Sequence, residues 1–508
     1  VKLGIDLGTT RTIVAAVDRG HTPIVLFDDD ADGVDAWPTL AATDGSTWAF
    51  GPDAARRLAD PGWQGVRGLK RMLGGRLAGP ARRVPAGDQP TVAALLTAYL
   101  AALRDALLHH SNLPRDPDDD RLEVIVAVPA AASSTQRFLT LQAFRDAGFD
   151  VHGMLNEPAA AAIEYADRHA RTLNSRRQQV LVYDLGGGTF DATLVELGGG
   201  GHRVLAHAGH NHLGGEDLDA ALLALALQQA GVDWEALPPA AIVRLLEHCR
   251  QVKEAIRPAT RRVVVELGAL LSPAEAGSAG IAPDLAVTVP LDHFHERIAP
   301  LLAETFETVA ELAGDGAQGL EDGGIAGVYV VGGASSLPLV ARQLRERYGH
   351  RVHRSPYPAG AVAIGLALAL DGDVVVRDRL SRHLGVFREW EGGQRISFDP
   401  VLGPDTPADG KPIVRRYRPV HTIGHFRFAE CDRLAADGTP AGDLTPAGEL
   451  RVPFSPADRA SAASTAVAPL QGPPPLVEEQ WTVDADGTVT VAFTDVDSGW
   501  RMEHRIHA

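Results

Sequence analysis

Two short stretches carry residues suited to phosphate chemistry. Asp6-Leu7-Gly8-Thr9-Thr10 closes the opening apolar segment, and Asp184-Leu185-Gly186-Gly187-Gly188-Thr189 closes "VLVYDLGGGTFD" at 180–191. A strand that ends in Gly-Thr-Thr or Gly-Gly-Gly-Thr presents consecutive backbone N–H groups that no side chain blocks, a nest for phosphate oxygens that needs no net positive charge. Asp6 and Asp184 would repel a phosphate directly, and a divalent cation resolves that conflict, because Mg²⁺ keeps its waters and is shared between carboxylates and phosphates. One such turn is weak evidence, since strands often end in Gly and Asp for turn geometry alone. Two of them predict a duplicated building block with Mg²⁺-nucleotide held between the copies. A third turn, Gly332-Gly333-Ala334 in "VYVVGGASSLP", follows an apolar strand and opens a helix, where backbone amides can meet a ligand. Neither G-x-G-x-x-G nor G-x-x-x-x-G-K-[ST] accounts for these turns, so the Rossmann and P-loop readings lack their fingerprints.

The elements that must position these turns are legible as periodicity. Residues 2–5 and 11–20 read as a hairpin around the first turn, and strand-turn-strand returns at 180–197. Helices are predicted at 91–110, 133–148 (opened by serine caps, closed by Gly148) and 156–170, with Pro158 in the first turn of the last, where a missing N–H costs least. Further helices are predicted near 217–230, 239–257, 292–313 and 337–347, and strands at 121–129 and 327–333. Beyond Leu370 the texture changes to short alternating segments split by Gly, Pro and Asp. Asp486-Gly487 is a strong hairpin signal there, and residues 380–508 read as all-β. The low-complexity stretch 455–475 reads as a flexible loop.

Composition bounds what such a chain does. With 508 residues, one core is unexpected and several compact units are predicted. A formal charge of −17 argues against a nucleic-acid partner, which would require a basic surface. Two cysteines, Cys249 and Cys431, make no disulfide framework and suit a reducing compartment. Asp6 interrupts the opening strand and no basic stretch precedes it, so no signal peptide is expected. The most apolar run, 361–370, is too short to span a bilayer. A cytoplasmic protein without membrane contact is the expectation.

Taken in order, Asp6–Thr10, "NEPAAAA" (156–162), Asp184–Thr189, "VVGGASSLP" and "AVAIG" (361–365) resemble the actin-like ATPase superfamily. Within it, "LKRMLG" (69–74), "VAVPAAASSTQR" (126–137), "HLGGEDLD" (212–219) and "DVVVRD" (373–378) resemble the seventy-kilodalton heat-shock chaperones of the DnaK type. The resemblance implies an α/β, two-lobed actin-like ATPase domain (a duplicated ribonuclease H-like unit) at 1–370, a linker at 371–379, and an all-β sandwich at 380–508 without the family's helical lid. It implies ATP/ADP and Mg²⁺ as ligands. Asp6 and Asp184 would hold hydrated Mg²⁺. Gly8, Thr9, Thr10, Arg11, Gly186, Gly187, Gly188 and Thr189 would surround the phosphates. Lys70, Glu157, Asp191 and Thr189 would carry hydrolysis, Lys70 as the family's catalytic lysine. Gly215, Glu216, Arg250, Lys253, Glu254, Arg257, Gly332, Gly333, Ala334 and Ser336 would line the nucleoside side, and Pro129 and Arg137 would relay nucleotide state to the linker.

The sequence departs from that pattern in places. Arg250 occupies the family's usual Glu position and Ser336 stands where many members place a stacking Arg, which predicts relaxed base selection. Gly153 replaces a J-domain-contacting arginine, which leaves a standard J-domain partner open. The implied partners are extended or unfolded polypeptides and a nucleotide-exchange factor. The reading is an ATP-dependent chaperone whose β-domain binds polypeptide under nucleotide control. The alternative is a nucleotide-sensing scaffold with one dedicated folded partner. A filament-forming actin relative and a small-molecule kinase fit the linker and Lys70 less well.

Overall fold

The computed structural model describes residues 1–508 except 29–32, 59, 61, 74–90, 117–118, 130–131, 171–172, 174–176, 199–200, 211–212, 315, 373–379, 381, 391–394, 404–405, 460–465, 485–486 and 507–508. The predicted linker segment 373–378, Gly74 and Asp486 lie outside the described residues. By internal contacts the chain divides into two compact units, one of Val1–Ala127, Asp146–His152 and Asn156–Val375, the other of Val128–Arg145, Gly153–Leu155 and Val376–Ala508.

Two five-stranded sheets of matching design occupy the first part of the chain. The first is built from β1 (Lys2–Leu7), β2 (Arg11–Ala16), β3 (Trp37–Pro38), β4 (Glu123–Val128) and β5 (Asp150–Asn156), in the order β3-β2-β1-β4-β5. The second uses β6 (Gln179–Leu185), β7 (Phe190–Gly198), β8 (Gly201–His210), β9 (Ile325–Val331) and β10 (Val352–Arg354), in the order β8-β7-β6-β9-β10. In each, the central strand pairs antiparallel with the strand after its glycine turn and parallel with a strand that arrives much later in the chain. A parallel partner requires a long crossover, and both crossovers contain helices. The duplication expected from the paired turns is thus a duplication of topology.

The longer helices among the described residues are α1 (Val92–His109), α2 (Ser134–Asp146), α3 (Glu157–Arg168), α4 (Gly215–Ala230), α5 (Pro239–Glu254), α6 (Leu291–Ala313), α7 (Pro338–Tyr348) and α8 (Ala361–Asp371). Thr91 caps α1, its side chain accepting from the Ala94 N–H at 3.2 Å. By length and composition α1 is apolar enough to cross a membrane. Leu95, Leu96, Tyr99, Leu100, Leu103 and Leu107 along it are buried, the pattern of a core helix.

Close packing of α8 relies on missing side chains. A Cβ on Gly4 of β1 would stand 2.2 Å from the Ala363 carbonyl oxygen, and a Cβ on Gly365 would stand 1.8 Å from the carbonyl oxygen of Ala160 in α3. The apolar "AVAIG" run therefore wedges bare backbone between the strand that carries Asp6 and the helix that begins with Glu157. Residues 361–367 of this helix are accordingly buried.

Several elements carried no clear sequence signal. A small sheet of residues 40–43, 48–50 and 64–67, the paired strands 262–266 and 286–290, β5 and β10 are short or interrupted, and apart from the hairpin 40–43/48–50 their pairing is non-local.

In the second unit, β11 (His383–Trp390), β12 (Arg395–Leu402), β13 (Ile413–Tyr417), β14 (Ile423–Leu434), β15 (Pro440–Pro453), β16 (Val477–Val483), β17 (Val489–Asp495) and β18 (Arg501–Arg505) form two four-stranded antiparallel sheets. Their orders are β12-β11-β14-β15 and β13-β16-β17-β18. Val386, Phe426, Phe428, Val452, Trp481, Val491 and Phe493 fill the core. A buried ionic group joins the sheets: Arg388 bonds Asp399 and Glu479, each at 2.6 Å, Arg415 also pairs with Asp399, and the Trp481 indole donates to Glu479 at 2.7 Å. Residues 468–470 are not a plain loop, since Ala468 and Leu470 pair backbone with Thr422 and Val420. In the same unit Glu430 of β14, 3% exposed, accepts the Ser134 N–H at the start of α2 at 3.0 Å. It caps a helix more than 290 residues distant in sequence.

Candidate functional site

The two glycine turns meet. A methyl on Gly187 would stand 2.7 Å from Thr10 Oγ1, so the turns at 8–11 and 186–189 face each other at van der Waals distance. The second turn is closed by the Gly186 N–H donating to the Thr189 carbonyl at 2.9 Å. It then docks on the start of α4, where the Gly215 and Glu216 N–H groups donate to the carbonyls of Gly186 and Gly187 at 2.9 and 2.7 Å. Gly214 would clash with Gly188 if it bore a Cβ. Gly332, at φ +84°, has no room for a Cβ either, since one would lie 2.3 Å from Asp184 Oδ1. The third turn is therefore seated on the carboxylate that ends β6.

Four carboxylates surround one ammonium group. Asp6 ends β1, and Asp184 and Asp191 stand directly opposite each other on β6 and β7. Gly209 of β8 leaves the space Asp191 occupies, because a Cβ there would lie 2.8 Å from Asp191 Oδ1. Glu157, first residue of α3, bonds Lys70, which is itself 9% exposed in a short helical turn, Leu69–Met72. Burial, then repulsion from Glu157, lifts Asp6 to about 7, with Lys70 opposing. Asp191 rises to about 7 for the same reasons. Asp184 is raised well above its ordinary value by burial and by Glu157, Asp191 and Asp6, with Lys70 opposing. Burial alone would push the Lys70 ammonium pKa down, and Glu157, Asp6 and Asp184 more than reverse it.

The donor set fits a divalent cation, whose charge would balance carboxylates that one lysine leaves in excess. Among the described residues no three His, Cys, Asp or Glu side chains converge for direct ligation. A cation carried through its own waters suits this spacing.

On the nucleoside side, Lys253 is buried, donating to the Gly215 carbonyl at 2.6 Å and pairing with Asp219 at 2.6 Å. Burial raises Asp219 to about 6 despite that partner. Arg250 bonds Glu247 and Glu254 along its own helix, Glu254 also pairs with Arg11, and Glu247 with Arg67 at 3.1 Å. Arg257 turns back on the Glu254 carbonyl at 2.7 Å. Gly333, Ala334 and Ser336 form the short turn after β9, closed by the Ser336 N–H on the Gly333 carbonyl at 3.2 Å. Gly8 donates back to the Asp6 carbonyl at 3.1 Å. Arg137 lies in the second unit, near the turn at Gly487.

Sequence reasoning missed the supports. Asp219 lay within a quoted motif without a role, although a buried lysine demands such a partner. Thr12, Thr39 and Tyr99 form a buried hydroxyl cluster behind the first turn (Thr12 to Tyr99, 2.8 Å), and the Thr39 N–H holds the Thr10 carbonyl at 2.9 Å. No local pattern marks hydroxyls that meet across 87 residues.

Paired sheets, facing glycine turns and a carboxylate-lysine centre define an actin-like nucleotide-binding domain, here followed by a β-sandwich domain. The Hsp70 protein family profile matches residues 118–385, more than half the chain, and the chain belongs to the Hsp70 family. It is 28% identical over 527 aligned residues to the chaperone protein DnaK of Thermotoga neapolitana, covering 98% of this chain and 78% of that protein. Chaperone protein DnaK of Thermosipho africanus is 26% identical with the same coverage, and that of Thermotoga maritima 27%.

Proposed function

We propose that this chain is an ATP-driven chaperone: it binds and hydrolyses Mg²⁺-ATP in the first unit and uses nucleotide state to control polypeptide binding by its β-sheet domain. The observation that carries this reading is the Lys70–Glu157 pair set among Asp6, Asp184 and Asp191, beside two facing phosphate nests. Backbone N–H groups of residues 9–10 and 187–189 would hold the β- and γ-phosphates, with Thr9, Thr10 and Thr189 adding hydroxyls. When bound, Mg²⁺ would supply charge neutralisation next to Asp6 and Asp184. Lys70 would stabilise the charge that develops on the transferred phosphoryl group, and its pairing with Glu157 keeps it protonated and aimed. Asp191, lifted to about 7 by burial, would accept a proton from the attacking water, and Glu157 would help orient that water. An extended client would pair its backbone with a strand edge of the β-domain. Membership of the Hsp70 family and similarity to DnaK chaperones support the chaperone role. An exchange factor and a cytoplasmic setting accompany this reading, and Gly153 keeps the J-domain partner open.

Lys70→Ala tests the assignment. Turnover should fall to background while ATP stays bound, because the backbone nests remain; hydrolysis at the wild-type rate would remove Lys70 from the chemistry. Peptide-array binding in ATP and in ADP tests client control, and no binding to extended peptides in either state would favour a scaffold for a folded partner.

A further inference from the structure

Glu164 has no place in that chemistry, yet it is one of the costliest groups in the molecule to bury. It lies on α3 two turns after Glu157, on the same helical face and about 10 Å along the axis. Its carboxylate is fully buried (0% exposed). A buried carboxylate persists only when its lone pairs are satisfied, and here three donors from three segments converge. Arg168 Nε donates at 2.6 Å, the Tyr329 hydroxyl from the middle of β9 at 2.9 Å, and Ser355 Oγ at 3.1 and 3.2 Å to the two oxygens. Tyr329 and Ser355 are themselves buried. Burial raises the Glu164 pKa, and Arg168, Tyr329 and Ser355 oppose the rise.

Two routes run from this node to the site. Along α3, the helix that Glu164 fastens to β9 begins with Glu157, the partner of Lys70. Through Ser355, the route continues into the loop 355–358. Ser355 Oγ accepts the Tyr357 N–H at 3.1 Å, and the Pro358 carbonyl accepts the Gly332 N–H at 2.7 Å. Gly332 is the residue seated against Asp184.

Resting on the ATPase reading above, we infer that Glu164 is a positioning residue that sets both the reach of Glu157 toward Lys70 and the seat of the Gly332 turn on the nucleotide. The two arms are separable. Tyr329→Phe frees the α3 arm and leaves the loop bond. Ser355→Ala frees the loop arm and leaves α3 tied to β9.

Single-turnover hydrolysis and equilibrium binding of ATP should be measured on the full chain, normalised to nucleotide-competent protein by active-site titration. Tyr329→Phe should lower the hydrolysis rate about tenfold with ATP affinity within twofold of wild type. Ser355→Ala should weaken ATP affinity about tenfold with the rate of the bound state within twofold. Glu164→Gln, which keeps one acceptor oxygen, should retain more of both than Glu164→Ala. A merely structural node would instead move both quantities in equal proportion in both variants, or neither, and either result overturns the inference while leaving the ATPase reading intact. A wild-type chain that binds no ATP overturns both.

Discussion

Gly187→Ala probes the facing turns directly. The added methyl would stand 2.7 Å from Thr10 Oγ1 and 2.9 Å from Thr10 Cγ2, against 3.4 Å for the near edge of ordinary contact. Thr10 is β-branched and stiff at χ1, so relief by rotation is limited. The turns must part by several tenths of an ångström. A phosphate hydrogen bond of about 2.9 Å stretched that far approaches 3.6 Å, where it no longer counts as one. Losing one bond to a charged group costs about 1.5–3 kcal/mol, or about 10–150-fold in affinity for ATP. Thr10→Ala removes both close atoms and leaves Thr10 Cβ, at 3.4 Å from the new methyl, as the nearest atom. In that background the Gly187→Ala penalty should all but vanish. Calorimetric ATP titration of the four proteins in the cycle gives the coupling. An equal penalty in both backgrounds would mean that the turns do not face each other, and the cleft reading would fall with them.

Asp191 binds a proton more tightly when folded, with its pKa at about 7 against 3.8 ordinarily, so its ionisation erodes stability as pH rises from about 4 to 7 and no further above. Asp191→Asn should therefore become progressively more stabilising, relative to wild type, between pH 5 and 7 in divalent-free urea melts, and a pH-independent difference would contradict the burial argument. Gly365→Ala forces a methyl into the Ala160 carbonyl at 1.8 Å and should cost at least the upper part of the usual ~1–3 kcal/mol for overpacking; a thermal midpoint within a degree of wild type would show that α8 and α3 do not touch as described. Glu430→Ala removes the cap on α2 and the carboxylate 3.8 Å from buried Arg382. It should destabilise by about 2 kcal/mol or more, with Glu430→Gln losing less because its amide oxygen still accepts from Ser134; equal loss in the two, by urea midpoint, would exclude the capping role.

The glycine turns, their aspartates and the order of motifs were legible in the sequence because each is local: a turn that needs bare N–H groups must spell out its glycines in consecutive positions. The same holds for the long helices, whose apolar period of 3.6 and terminal caps lie within one stretch, and for the alternation that marked 380–508 as β-structure. Lys70 was legible only by resemblance, since a lone lysine carries no sign of its surroundings. Tertiary structure alone decided that Lys70 is buried against Glu157 and that Asp6, Asp184 and Asp191 also feel its charge. It also decided that Glu254 meets Arg11 and Glu247 meets Arg67, and that Lys253 braces Asp219 and the Gly215 carbonyl. The physical reason is common to all of these. Charge neutralisation and desolvation depend on which groups meet in space, and these groups meet across tens to hundreds of residues, where no spacing rule operates. Glu164 is the extreme case: as a sequence letter it sits unremarked in an alanine-rich helix, and only burial with Tyr329 and Ser355 gives it a task.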